Sequence, residues 1–571
     1  MKDMTKTLLT LSAATIMALS TGCSSSDDSS SGGGATPDAN TTQDANVTTD
    51  TNTTKVVAPP VQDDPTRVVY RSNQVNPSQH DLYVNNDSKW ATLFAANHTD
   101  ETVENFQLSP SKDMVVFKVK TPTGNELYIQ ALDGTDAELI YVKSRDGVIT
   151  AVNDVKQYAW SNDGKKVAYI ADQNQTNAID DLFVYHLESK RNTGINTDKP
   201  NKDANVTSFY WAPNSDHIAF IADRNITNKN ELFVMNPAGN DLIVASEDND
   251  DAANDSDTVS QAYWAPDSHA IAYIANEVAG KGTELHLAQQ DHDGTVTITV
   301  SIGVATDALS KVYSAQWAPD SNRIAYISDD SGTPNIYTVN PSGQTERSHI
   351  KSATGSYPNA MPKTYGWSPD STTLAYIAST TDAHENLFYV SAKGSTSTQA
   401  NIESTYMLLP EYGGVSKFSF SSSSKLLAYN ANTNTVKEDL YVTTLASNAR
   451  VRVAGTEVQG GVVTQFAFTP NDSRLVYIAN QNNSDDKVNL YTASVSKDGN
   501  GTQINDGTNN YADVKSFIIT ADSDTVVYSE DKTDDDMNEL FAVDINGRAN
   551  VKLSDTFLTS DGDIDGGFVA R

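Results

Sequence analysis

A chain of 571 residues exceeds what one ordinary hydrophobic core occupies, so it implies several domains or a modular repeat fold. With 38% hydrophobic residues, 25 Tyr and 16 Phe, there is material for many small β-cores. A formal charge of −34, from 74 acidic against 40 basic residues, excludes nucleic acid and anionic lipid surfaces as partners, because both are recognised through clustered Lys and Arg. The same acidity suits cations or a basic partner, and equally the plain solvation of exposed loops.

Taken in chain order, residues 1–22 read as an export signal. Lys2 and Lys6 make a basic start, Leu8 to Leu19 an apolar stretch too short to span a bilayer, and Ser20-Thr21-Gly22 a small-residue cleavage site. Cys23 follows directly and is the only cysteine, so it has no internal disulfide partner. The run Leu19-Ser20-Thr21-Gly22-Cys23 resembles the lipobox of bacterial lipoproteins, with Leu placed one residue early. That resemblance implies acylation of Cys23 and a membrane anchor, and Ser24 rather than Asp after the cysteine implies sorting to the outer membrane. An unprocessed cytoplasmic chain is the alternative.

Residues 23–66 form the lipidated cysteine and a tether. Ser, Gly, Thr, Asn and Asp dominate it, and it holds almost nothing large and apolar to bury. A flexible coil of this length would span roughly 35–40 Å.

From residue 67 to 571 one phrase recurs. Its clearest form is Trp211-Ala212-Pro213-Asn214-Ser215, then Ile218-Ala219-Phe220-Ile221-Ala222, a polar loop, Glu231-Leu232-Phe233-Val234 and Pro237-Ala238-Gly239. Close copies start at Trp264, Trp317 and Trp367, and weaker ones at Leu108, Trp160, Phe420, Phe468 and Ile519. The period of about fifty residues fits a four-stranded antiparallel blade, and no segment carries a sustained helical period. In Ala-Pro-Asp-Ser, Pro suits the second position of a tight turn and Asp the third, where its carboxylate reaches nearby backbone amides. The five repeat-locked Trp residues read as core packing rather than ligand platforms. The acidic residue opening the third strand, as in Asp81, Glu126, Asp181, Glu231, Glu284, Asp439 and Glu539, reads as a strand-start device, since catalytic carboxylates would not recur in nearly every unit.

This series resembles the TolB-type, WD-like β-propeller repeat family. The resemblance implies an all-β propeller of about ten four-stranded blades, and two smaller propellers remain open beside one ring. Val68-Val69-Tyr70 and Asp81-Leu82-Tyr83-Val84 match the second and third strands of a blade lacking its first, and Gly567-Phe568-Val569-Ala570 is placed to supply it.

Function is expected on the irregular loops between second and third strands, Asp172 to Asp180, Asp223 to Asn230, Asp329 to Gly332, Asn480 to Asp486 and Glu530 to Asp536, and in the central funnel. Asp561-Gly562-Asp563-Ile564-Asp565-Gly566 matches the opening of an oxygen-rich calcium loop, making Asp561, Asp563 and Asp565 candidate metal ligands. The closing Glu of such a loop is missing, so an ordinary acidic turn fits the same residues. The nine His are scattered without zinc-type spacing, and no nucleophile elbow or phosphate-binding glycine loop occurs, so no catalytic residue and no other cofactor is expected. The sequence therefore reads as a non-enzymatic envelope scaffold for a protein or glycan partner. The alternative is a polysaccharide- or peptide-processing enzyme, because some TolB-like propellers resemble lyases that set His and Arg at the funnel axis.

Overall fold

A computed structural model describes residues 67–570 except for short turns and the connecting segments 173–178, 247–257, 304–310, 353–361, 402–413, 456–461, 507–512, 532–537 and 555–563. Cys23 and the tether therefore lie outside the described residues. So do two acidic runs of the connecting segments, Asp248-Asn249-Asp250-Asp251 and Asp534-Asp535-Asp536.

The described chain is all β. Nine antiparallel blades of four strands follow one another at 102–139, 155–194, 206–244, 258–303, 312–349, 364–399, 415–454, 463–503 and 513–552, here blades 2 to 10, and the short strand Lys351–Ser352 adds a parallel fifth strand to the outer edge of blade 7. Blade 1 is built from both ends of the repeat region: Arg67–Asn76, Gln79–Asn86 and Lys89–Phe94 are its second, third and outer strands, and Ile564–Ala570 its inner strand. Val68, Val69 and Tyr70 stand opposite Ala570, Val569 and Phe568, as the sequence suggested. A small hairpin, Tyr141–Lys143 with Ile149–Ala151, lies between blades 2 and 3.

Burial decides between one ring and two. A row of ten blades has nine faces to cover, whereas a closed ring has ten. There are ten interblade cores, each drawing apolar residues from two successive blades. The tenth joins Val527, Leu540 and Leu553 of blade 10 to Val68, Tyr70 and Tyr83 of blade 1. The ten blades make one ring.

The repeated phrase explains the packing. Second strands such as Ile218–Ala222 and Ile324–Ser328 are buried along their whole length, because both faces are covered by neighbouring blades. In every blade one aromatic of the second strand stacks on its register partner in the third, with ring centroids 5.1–5.6 Å apart and planes within 13–26°. Nine of these rungs pair Phe or Tyr; in blade 5 His286 takes the place and stacks on Tyr273.

The Trp anchors do more than fill space. The indole Nε1 of Trp160, Trp211, Trp264, Trp317 and Trp367 donates to the backbone carbonyl of Gln107, Ala159, Tyr210, Tyr263 and Gln316, in each case on the inner strand of the preceding blade, at 2.9–3.2 Å. The turns after Trp211, Trp264, Trp317 and Trp367 add a second link. In each, the Ser sits at positive φ, 64° for Ser215 and 67° for Ser268, and the hydroxyl accepts from a backbone amide in the preceding blade's turn. The Pro-Asp reading of this turn holds: the carboxylates of Asp267, Asp320 and Asp370 accept from the amides two residues on, at 3.0 Å.

Candidate functional site

In an antiparallel blade the turns from first to second and third to fourth strands share one end, while the second-to-third loops and the interblade connections share the other. The second end is where the repeat pattern breaks down. Its elements converge on the inner strands around the central channel, and those of blades 4 to 6 and of blades 1 and 2 approach one another within 8 Å between Cα atoms.

The inner strands themselves are altered there. A register shift follows the first buried Val of eight of them, between Val103 and Asn105, Val155 and Gln157, Val206 and Ser208, Val259 and Gln261, Val312 and Ser314, Val415 and Phe418, Val463 and Gln465, and Val514 and Ser516. Each shift is a β-bulge, which leaves one residue unpaired and bends the strand. Two polar residues in succession are thereby set at the channel mouth, for example Lys156-Gln157, Thr207-Ser208 and Ser260-Gln261. The sequence carried this signal as a Val five residues before eight of the nine anchors, followed in seven of them by two polar residues where strict alternation would have placed an apolar one second.

Charges at the mouth are largely spent on one another. Lys156 meets Asp180 at 2.5 Å, Lys118 meets Glu104 at 2.9 Å, and Lys417 donates to the Thr464 carbonyl at 2.7 Å. Lys199 is buried and binds Asp181 at 2.5 Å and the Ala204 carbonyl at 2.5 Å. Burial, with Asp180 and Asp172 nearby, still holds the Asp181 carboxyl above the usual carboxylate range. Burial likewise raises Glu438, although it accepts from Asn430 Nδ2 at 2.6 Å and the Val463 amide at 3.1 Å.

Of the loops singled out in the sequence, Asp223 to Asn230 is described throughout. Its acid does not face solvent: Asp223 is buried and its carboxylate accepts from the amides of Asn205 at 2.6 Å and Asn228 at 3.0 Å, leaving Ile226, 51% exposed, at the tip. The other four loops lie partly outside the described residues. The acids that open the third strands are also occupied. Glu126 accepts from Tyr128 at 2.7 Å and Glu231 from Asn225 at 2.9 Å, while Lys552 binds Glu539 and Arg452 lies 3.5 Å from Asp439.

Asp561 and Asp563 lie outside the described residues. Asp565 belongs to the inner strand of blade 1, Ile564–Ala570, with its side chain outside the description. Among the described residues no three His, Cys, Asp or Glu gather as metal ligands. The inner-strand bulges contribute lysines 156, 417 and 515 on three separate blades, and His286 is buried in its aromatic rung away from the channel.

Residues 267–558 match the TolB beta propeller domain family, and residues 135–380 the lipoprotein LpqB beta-propeller domain. No curated protein matches the chain. Among solved structures, that of a eukaryotic initiation factor is similar at 11% identity over 77% of this chain and 96% of that one, with a TM-score of 0.46. TolB from Acinetobacter baumannii is 14% identical over 49% of this chain and 62% of that one, TM-score 0.26. Dipeptidyl peptidase 4 from Porphyromonas gingivalis is 10% identical over 74% and 64%, TM-score 0.44.

Proposed function

The chain belongs to the TolB β-propeller domain family, and from that premise we propose that it is a non-enzymatic binding scaffold of the bacterial envelope, held at the outer membrane through acylated Cys23. One observation carries the reading. The ring spends its repeated Trp, Tyr and carboxylate side chains on its own packing and leaves the irregular, polar positions together at one end of the channel. A binding protein needs that arrangement, in which a rigid frame presents a variable surface. The LpqB-type match and the export signal ahead of Cys23 support the lipoprotein part.

Two measurements test it. Cys23→Ser is expected to move the chain from the membrane fraction to the soluble one, and unchanged membrane association would end the anchor reading. The full chain, immobilised in detergent, is expected to capture an envelope protein or glycan saturably. Capture should be lost when 223–230 is replaced by a Gly-Ser loop and kept when His217 and His269, on turns at the opposite end, become Ala. Failure to capture anything saturably, or capture indifferent to the mouth, would refute the scaffold.

A further inference from the structure

We propose that the channel mouth, on the arc formed by blades 2 to 6, binds a neutral glycan; this rests on the scaffold reading above and names the class of ligand. The arc is defined by one structural position, the residue just after the bulge, filled in successive blades by Asn105, Gln157, Ser208, Gln261 and Ser314. All five are neutral amides or hydroxyls, in a chain of net charge −34. Several keep unspent hydrogen-bonding groups. Asn105 accepts from the Tyr158 hydroxyl through Oδ1 at 2.6 Å, which leaves its Nδ2 donor, and Gln261 accepts from Tyr263 through Oε1, which leaves Nε2. Gln157 is exposed.

Beside them stands Tyr313, an aromatic ring 37% exposed, fixed by donation from its hydroxyl to Asp329 Oδ2 at 2.8 Å. An exposed, oriented ring on an arc of amides and hydroxyls suits the C–H face of a pyranose, whose vicinal hydroxyls bond side-chain amides. Lys156 is paired with Asp180 and Glu104 with Lys118, and the Asp329 carboxylate accepts from the Tyr313 hydroxyl, so the arc offers no unpaired cation to an anionic ligand. A peptide added as an extra strand is disfavoured by the same structure. Inner-edge carbonyls of Gln107, Ala159, Tyr210, Tyr263 and Gln316, which such a strand would use, already accept from the Trp indoles.

The test is calorimetric titration of the full chain in detergent with maltoheptaose, cellohexaose and chitohexaose, alongside polygalacturonate and a Gly-Ser peptide of similar length. At least one neutral oligosaccharide is expected to bind with Kd below about 1 mM, and an unpaired neutral ligand gives no salt dependence. Tyr313→Ala, and the double variant Gln157→Ala/Gln261→Ala, should each weaken binding about tenfold at unchanged melting temperature, the loss expected for a stacking surface or a pair of hydrogen bonds. The proposal is overturned if none of the three binds, if only the peptide or polygalacturonate binds, or if both variants bind like the parent. Envelope capture that persists while the oligosaccharides fail would remove the glycan and leave the scaffold.

Discussion

At the scale of single residues, His286 is the exception that identifies the rule. Nine blades place Phe or Tyr on the third-strand side of the stacked rung, and blade 5 places an imidazole there, almost wholly buried against Tyr273. Burial pushes its pKa down to about 4, even with the Glu284 carboxylate 4.0 Å away. Because the folded value lies below the unfolded value near 6.5, the neutral ring contributes stability in full above pH 6.5, and this is lost as pH falls from there towards 4. The loss should reach roughly 2 kcal/mol at pH 5 from the difference between the two pKa values. Urea midpoints of the parent and His286→Phe at pH 7 and pH 5 check this: the variant should keep the extra stability at pH 5, and parallel shifts of both proteins would refute it. The sequence showed His286 as one of nine scattered histidines, and only the register opposite Tyr273 reveals that it fills an aromatic slot.

At the scale of elements, the turn after each Trp from 211 to 367 couples a strained backbone to an interblade bond. Ser268 holds a φ of 67° so that its hydroxyl can accept from the Asn214 amide at 3.0 Å. Ser268→Ala should lose that bond while keeping the left-handed strain, costing about 1 kcal/mol, whereas Ser268→Gly loses the bond but relieves strain of similar size. Thermal melts should therefore rank Gly above Ala, and the reverse order would show that the hydroxyl is not the turn's main contribution. Trp160→Phe, which leaves the Gln107 carbonyl without its donor, should lower stability by about 1 kcal/mol in the same assay. Strand order, the Pro-Asp turn and the packing role of Trp were all legible, because each follows from residue type and a fixed period. The bulges are not legible in the sequence, since two adjacent polar residues also fit a strand end, and the indole-to-carbonyl links depend on a partner some fifty residues away. The acid of the 223–230 loop was expected to face a ligand; it turns inward because two backbone amides there need an acceptor.

At the scale of the molecule, the links are unevenly spread. Indole staples join five consecutive interfaces, from blade 2 through blade 7. Turn-to-turn bonds run from blade 3 through blade 10. Among the described residues neither kind spans the two interfaces of blade 1, which rely on the interblade cores and on bonds such as Asn85 Nδ2 to the Leu553 carbonyl at 2.6 Å and Arg71 to the Val103 carbonyl at 3.1 Å. Native-state hydrogen exchange should therefore find the amides pairing 67–76 with 564–570 opening before those of blades 3 to 7, and first opening in blades 4 to 6 would contradict this ordering of strength. The pairing of Val68 with Ala570 also has a bearing on biogenesis. A ribosome adding about 5–20 residues per second reaches the closing strand roughly 25–100 seconds after it has made the partner strand. For that interval blade 1 has a bare β-edge, the kind of surface that recruits other strands. A chain cut before residue 564 would keep that edge open, so the strand 564–570 is what shields blade 1 from pairing with other chains.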